Sequence, residues 1–157
     1  MGTRGDLWKT ALFTGTFERA VDEKLRVAFP KTLREGVPGS RGVWYVAPGT
    51  DGSLVIYPKE TFTQLAQRLA AAPPTQQDVR AFRRLFYAQA EHVRLDRQGR
   101  LRIPTRLAEL AGVSKQVVLL GIQDHLELWD CRRWKRYLKQ KSAQYDSIAE
   151  SALGRSG

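Results

Sequence analysis

The sequence predicts an α+β fold in which two tandem, pseudo-symmetric β-hairpin repeats close on one another, with helices between and after them. Three observations predict it. VDEKLRVAFP (Val21 to Pro30) returns as LDRQGRLRIP (Leu95 to Pro104), each with Asp, then Arg four residues on, then Pro four further on. Around each motif polar and apolar residues alternate, which is the period of a half-buried strand. Apolar residues spaced three and four apart, the period of a helix, lie between and after the two copies.

The repeat extends well beyond the motif. Aligning Asp22 with Asp96 also pairs Arg26 with Arg100, Val27 with Leu101, Phe29 with Ile103, Pro30 with Pro104, Leu33 with Leu107 and Glu35 with Glu109. A chance identity arises about once in twenty positions, so several in one register are not coincidence. VWYVAPGTD (Val43 to Asp51) then matches QVVLLGIQD, LVIYP (Leu54 to Pro58) matches LELWD, and Phe62 matches Trp134. Antiparallel units this short do not each bury a core alone, but two of them facing one another do.

Within the second copy, HVRL and RLRI alternate on either side of Asp96-Arg97-Gln98-Gly99. Asp favours the first position of a turn and Gly supplies a positive φ, so a local β-hairpin with a short loop is expected. Alternation puts Val93, Leu95, Leu101 and Ile103 on one face and Arg94, Arg100 and Arg102 on the other. The first copy repeats the apolar face with Val21, Val27 and Phe29, while Glu18, Ala20, Arg26 and Ala28 take the opposite face. Leu25 stands where the second copy has Gly99. A left-handed Leu costs on the order of 1 kcal/mol, so the first turn is expected to differ in type and the two hairpins to bind unequally.

Pro30 and Pro104 each remove a ladder donor and end a strand. Short helices are expected at Lys31 to Glu35 and Thr105 to Ala111. Strands are expected near Trp44 to Ala47, Leu54 to Tyr57, Val117 to Gly121 and His125 to Trp129. Phe62, Leu65 and Leu69 mark a helix ended by Pro73-Pro74. A capping box at Thr75-x-x-Asp78 is expected to open the next one, striped by Val79, Phe82, Leu85 and Phe86. Asp130 is placed to cap a helix carrying Trp134, Tyr137 and Leu138, and Tyr145, Ile148 and Ala152 continue a helical face suited to a neighbouring subunit. The expected organisation is an N-terminal arm (1–12), a first repeat (13–62), a linking helical hairpin (63–89), a second repeat (90–134) and a C-terminal helix and tail (135–157).

Charge narrows the function. The 157 residues carry 26 Lys and Arg against 16 Asp and Glu, a net +10. The basic residues are threaded through apolar ones, so they form a folded cationic surface, not a basic tail, and favour a polyanion partner. No apolar run approaches the roughly 20 residues of a membrane span, so no membrane partner is expected. A single cysteine, Cys131, excludes an internal disulfide framework and fits a reducing cytoplasm. His92 and His125 fall in different copies, and neither Ser114 nor Cys131 has the setting of a nucleophile. GVPGSRG (Gly36 to Gly42) lacks the Lys-Ser/Thr step of a phosphate loop, and two His with one Cys make no zinc site. No enzymatic activity, cofactor, metal or small-molecule substrate is therefore expected.

The doubled Asp-x-x-x-Arg motif with its following Pro, the helical hairpin between copies and the ending WDCRRWKRYL resemble the MraZ family, from about Phe13 to Leu138. That family lies within the AbrB-like, swapped-hairpin group of DNA-binding proteins. The resemblance implies a swapped-hairpin, AbrB-like β-barrel whose two copies mimic a dimer. It implies a cytoplasmic, nucleoid-associated transcriptional regulator, usually a repressor. Such a protein binds double-stranded DNA at direct repeats in the promoter of its own operon, upstream of the division and cell-wall gene cluster. It also implies a ring-like homo-oligomer with the Asp-x-x-x-Arg segments facing DNA. Leu25, Arg19 where the second copy has Val93, and the tail after Leu138 depart from the pattern. Antitoxin-like and RNA-binding roles are the alternatives on an AbrB-like fold.

The DNA-binding candidates are Asp22, Lys24, Arg26, Arg94, Asp96, Arg97, Arg100 and Arg102. Arg presents a rigid fork of donors that suits phosphate oxygens and the guanine edge. Asp does not attract DNA; its expected task is to cap the turn and hold the Arg in one rotamer. A local salt bridge alone, worth about 0–1 kcal/mol when exposed, leaves Arg94 and Arg102 unexplained.

Overall fold

The computed structural model describes residues 12–35 and 43–154. The first copy supplies β1 (Thr16–Ala20), β2 (Arg26–Ala28), α1 (Lys31–Glu35), β3 (Val43–Pro48) and β4 (Leu54–Pro58). Two helices follow, α2 (Lys59–Ala71) and α3 (Gln77–Gln89). The second copy supplies β5 (Glu91–Arg94), β6 (Arg100–Arg102), α4 (Thr105–Leu110), β7 (Gln116–Ile122) and β8 (His125–Asp130). The described chain closes with α5 (Cys131–Ser142) and α6 (Tyr145–Leu153). The expected N-terminal arm lies outside the described residues except for Leu12.

The strands form a six-stranded antiparallel sheet in the order β1-β7-β8-β4-β3-β5, and a separate two-stranded ribbon of β2 with β6. Exchanging the copies reverses this order and leaves it unchanged, so the duplication is a true pseudo-two-fold. Register obeys the same symmetry. Ala20 faces Gln116 as Arg94 faces Val43, and Leu54 faces Leu128 as Ile56 faces Leu126.

Two expectations are corrected here. The strands flanking each motif do not pair as a local hairpin: β1 pairs with β7, β5 with β3, and β6 with β2 of the other copy. The turns do close, but their strands diverge into different layers, because each second strand buries its apolar residue against the partner copy. Nor is the barrel closed: among the described residues the six-stranded sheet ends on β1 and β5, which do not pair with each other, and the three-residue ribbon strands do not bridge them.

The main core lies between the ribbon and one face of the sheet. Val27 and Leu101 are fully buried at 0% exposure, with Phe29, Ile103, Leu33 and Leu107 beside them against Trp44, Ile56, Leu119 and Leu128. Each such side chain removed from water contributes about 1.5–3 kcal/mol. Successive residues of β7 point to opposite faces. Val117 and Leu119 enter this core, whereas Val118 and Leu120 join Trp129 and Cys131 on the other face, under Trp134 and Tyr137 of α5. The ribbon and α5 therefore cover opposite faces of the sheet. Over the first copy, α2 takes the same place as α5, with Phe62 stacked on Tyr45 at 4.2 Å between ring centroids.

Asp130 caps α5 as expected. Burial opposes its charge, but Ser114 Oγ at 2.6 Å, Ser114 N at 2.9 Å and Arg132 N at 3.2 Å donate to it and hold its carboxyl below the usual value. The Thr75 capping box does not form. Gln76 is the cap residue of α3 without a side-chain bond, and Arg80 Nη1 instead donates to the carbonyls of Pro74 and Thr75, both at 3.0 Å. Arg133 straps the two copies: its Nη1 donates to Gly52 O at 3.1 Å, and its guanidinium also lies against Gly112.

Candidate nucleic-acid interface

Each Asp-x-x-x-Arg loop is organised by its carboxylate. Asp22 Oδ1 accepts from the amides of Lys24 (2.9 Å) and Arg26 (2.8 Å), and its Oδ2 accepts from Arg26 Nε at 2.7 Å. Asp96 repeats this with Gln98 N and Arg100 N, both at 2.9 Å, and Arg100 Nε at 2.8 Å. Main-chain bonds shut each loop, from Asp22 N to Arg26 O and Leu25 N to Asp22 O, and equivalently from Asp96 N and Gly99 N. The amide of the motif Arg, outweighing some desolvation and reinforced by its guanidinium, holds each Asp carboxyl below its ordinary value. Both are therefore ionised at neutral pH, and each locks the Nε–H of its Arg while leaving the terminal nitrogens of the fork available.

The two turns are of one type, contrary to the expectation from Leu25. Leu25 has φ 61° and Gly99 has φ 75°. Strain of about 1 kcal/mol at a left-handed Leu is offset because the Leu25 side chain packs, half-buried, against the main core. Each turn is also fastened to the other copy: Ile103 N donates to Leu25 O at 2.8 Å, and Phe29 N donates to Gly99 O at 3.0 Å.

Pairing within the ribbon decides what is displayed. Val27 faces Leu101, and both point inward. Arg26 faces Arg102 and Ala28 faces Arg100 on the outward side. The Arg26 and Arg100 side chains keep 30% and 29% of their surface exposed, and Arg102 is exposed. Arg100 Nη1 lies 4.0 Å from Asp22 Oδ2, so the two motifs meet across the pseudo-two-fold. Like charges directly opposite one another weaken a strand pair. This ribbon carries such a pair, and the loop carboxylates of Asp22 and Asp96 offset the charge of Arg26 and Arg100.

The remaining candidates divide. Lys24 and Arg97 are exposed at the loop tips. Arg94 belongs to β5 in the large sheet, not to a hairpin with Arg100, but it lines one open surface depression together with Arg102, Glu91 and Thr105. Arg34, which sequence reasoning passed over, lies with its guanidinium against Gly99. The aligned copies hold the clue: Leu25 becomes Gly99 where Arg34 becomes Ala108.

Residues weighed for catalysis sit elsewhere. His92 is exposed on β5, and His125 Nδ1 lies 2.8 Å from Asp124 Oδ1. Ser114 is held by Asp130, while burial, with Glu18 accepting from its Sγ, pushes the Cys131 thiol up and away from the reactive thiolate. Among the described residues no cluster of His, Cys, Asp or Glu could hold a metal ion, and no helix is long and apolar enough to cross a membrane.

Fold and site together define a class: a duplicated α+β protein, its halves interlocked by strand exchange, with an arginine ribbon open to solvent. Comparison with known proteins names the family. The family model described as "MraZ protein, putative antitoxin-like" matches twice, at residues 12–85 and 86–156. The chain is 38% identical over 143 residues to the "Transcriptional regulator MraZ" of Heliobacterium modesticaldum, covering 90% of this chain and 97% of that one. Proteins of the same name from Lactiplantibacillus plantarum and Acetivibrio thermocellus are 37% and 38% identical, covering 90% and 88% of this chain and 99% and 95% of theirs. This chain belongs to the MraZ family.

Proposed function

We propose that the protein is a sequence-specific, DNA-binding transcriptional regulator that lays its β2–β6 ribbon on double-stranded DNA. The carrying observation is the outward face of that ribbon, where Arg26 stands opposite Arg102 and Arg100 reaches between the two loops. A B-form major groove admits a two-stranded ribbon, and Arg forks suit both phosphate and guanine. The arrangement favours duplex over single strands, since the ribbon's outward positions are Arg26, Ala28, Arg100 and Arg102, with no aromatic ring on which an unpaired base could stack.

The target is direct repeats in the promoter of the protein's own operon, upstream of the division and cell-wall gene cluster, and the action there is repression in the cytoplasm, on the nucleoid. The working unit is a ring of copies. Exposed apolar residues on the helices support self-association, among them Phe82 and Leu85 on α3 and Tyr145, 72% exposed, on α6. A ring places several ribbons at fixed spacing, and effective concentration then converts weak single contacts into selective binding to repeats.

A gel shift tests this with DNA from upstream of the gene beside shuffled DNA of the same composition. The upstream fragment should shift at a protein concentration lower by about tenfold or more, with log affinity falling by about 0.9 per phosphate contact against log salt. Equal shifts would reduce the protein to a non-specific binder, and no shift of either fragment would reject the reading.

A further inference from the structure

The two turns differ in one reciprocal exchange. At the first, Leu25 packs into the main core, and the position that the repeat aligns with Arg34 is the small Ala108, also of that core. At the second, Gly99 leaves the space of a side chain empty, and Arg34 of the other copy occupies it. A Cβ built on Gly99 would fall on the Arg34 guanidinium, 2.7 Å from Cζ and 3.0 Å from Nε. Arg34 Nε is buried and has no hydrogen-bond partner, and among the described residues the Arg34 side chain makes no ion pair.

A buried donor left unmet is costly, and the same planar fork has terminal nitrogens beyond Nε with which to take an acceptor from outside. The neighbouring loop does not supply one. Asp96 already accepts from the amides of Gln98 and Arg100, and its carbonyl accepts from Gly99 N. The amides of Asp96, Gln98, Gly99 and Arg100 are engaged within the loop as well, so an anion docking there is held chiefly by guanidinium groups. The loop itself carries two further guanidinium groups, Arg97 at its exposed tip and Arg100 at its exit, on the same turn that Arg34 backs at Gly99.

We propose that Arg34 and the Asp96–Arg100 loop form a seat for one DNA backbone phosphate, which the first motif lacks. This rests on the DNA-binding reading and deepens it: the two halves of each subunit grip the duplex unequally, and the extra phosphate fixes which half points which way along a direct repeat.

Three variants test the seat on the full chain, with a duplex carrying the promoter repeats as probe. Arg34→Gln keeps most of the volume and removes the charge. It should weaken binding about tenfold, the scale of one charge-assisted hydrogen bond, and flatten the log-affinity against log-salt slope by about 0.9, with Tm unchanged. Gly99→Leu alone should lower Tm, because its side chain lands on Arg34. Gly99→Leu with Arg34→Ala, which rebuilds the first copy's Leu–Ala pair at the second turn, should restore Tm yet keep the flatter slope. An unchanged slope in Arg34→Gln, whether or not Tm falls, assigns Arg34 to packing and overturns the seat. Wild-type slope in the double variant overturns it too. Arg100→Ala separates the two levels: if it abolishes binding while Arg34→Gln does not alter it, only the seat fails, and if neither matters, the DNA reading itself fails.

Discussion

The first and second Asp-x-x-x-Arg loops share each of their carboxylate bonds and their left-handed turn residue, yet their surroundings diverge. Around the first, the turn residue is apolar and core-packed, and its ribbon strand displays Arg26 and Ala28. Around the second, the turn residue is a glycine backed by Arg34, and the strand displays Arg100 and Arg102, with Arg94 and Arg97 close by. A homodimer cannot make such a distinction, since a change in one loop is a change in both. Joining two copies in one chain frees one loop to anchor the fold and the other to gather charge.

The largest effect that sharpens this contrast is on the shared inner pair. Leu101→Ala should destabilise the protein by about 2–5 kcal/mol, and Val27→Ala by less, since a smaller side chain leaves a smaller cavity. Urea unfolding midpoints would measure both, and equal losses would mean that side-chain volume does not set what each strand contributes to the shared core. Next come the motif arginines. Arg100→Ala should weaken binding to promoter DNA by about 100-fold, in the range of charged hydrogen bonds. Arg26→Ala should cost about tenfold, because it also relieves the repulsion from Arg102; fluorescence anisotropy at fixed salt would rank them, and a reversed order would refute the division of labour. Smaller still is Leu25→Gly. It removes about 1 kcal/mol of left-handed strain, but it loses roughly half of the 1.5–3 kcal/mol of a full burial and adds about 0.4–1 kcal/mol of unfolded-chain freedom, so a small net loss is expected in the same unfolding assay. A gain would mean that Leu25 contributes little to the core.

The smallest effect is the dependence on pH. Both loop carboxyls sit below their ordinary value in the folded chain, so their stabilisation is complete above the unfolded Asp value of about 3.9. It fades only as pH falls through the lower folded values. Stability should therefore be insensitive to these two groups from neutral pH down to about 5. Asp96→Asn should flatten the acid limb of a Tm–pH curve, and an unchanged limb would remove the carboxylate from the loop's energetics.

Much of this was legible in the residues. The repeated apolar runs located β3, β4, β7 and β8 to within a residue, because strands covered on both faces leave near-continuous apolar stretches bounded by turns. The doubled motif was legible because its chemistry is local: Asp22 and Asp96 bond within their own loops. Partner choice was not. Alternation says that Leu101 faces inward but not that Val27, far away in sequence, is its neighbour, so the strand exchange came from the family resemblance and the hairpin reading failed. Leu25 misled for another reason, since a propensity cost is overruled when tertiary burial exceeds it. Arg34 was hidden because its significance lies in the space left by a glycine in the other copy.

Strand exchange also sets the order in which the protein can come into being. While a ribosome is still making the second half, β3 has no β5 beside it, and Val27 and Phe29 have no Leu101 or Ile103 to cover them. The nascent first copy is an incomplete layer with an open sheet edge until residues near Asp130 emerge, and long-range pairing of this kind folds slowly. Birth of the chain is therefore its most aggregation-prone moment, because the helical pair α2–α3, complete before β5 is translated, covers the sheet face opposite the one that waits for Leu101 and Ile103.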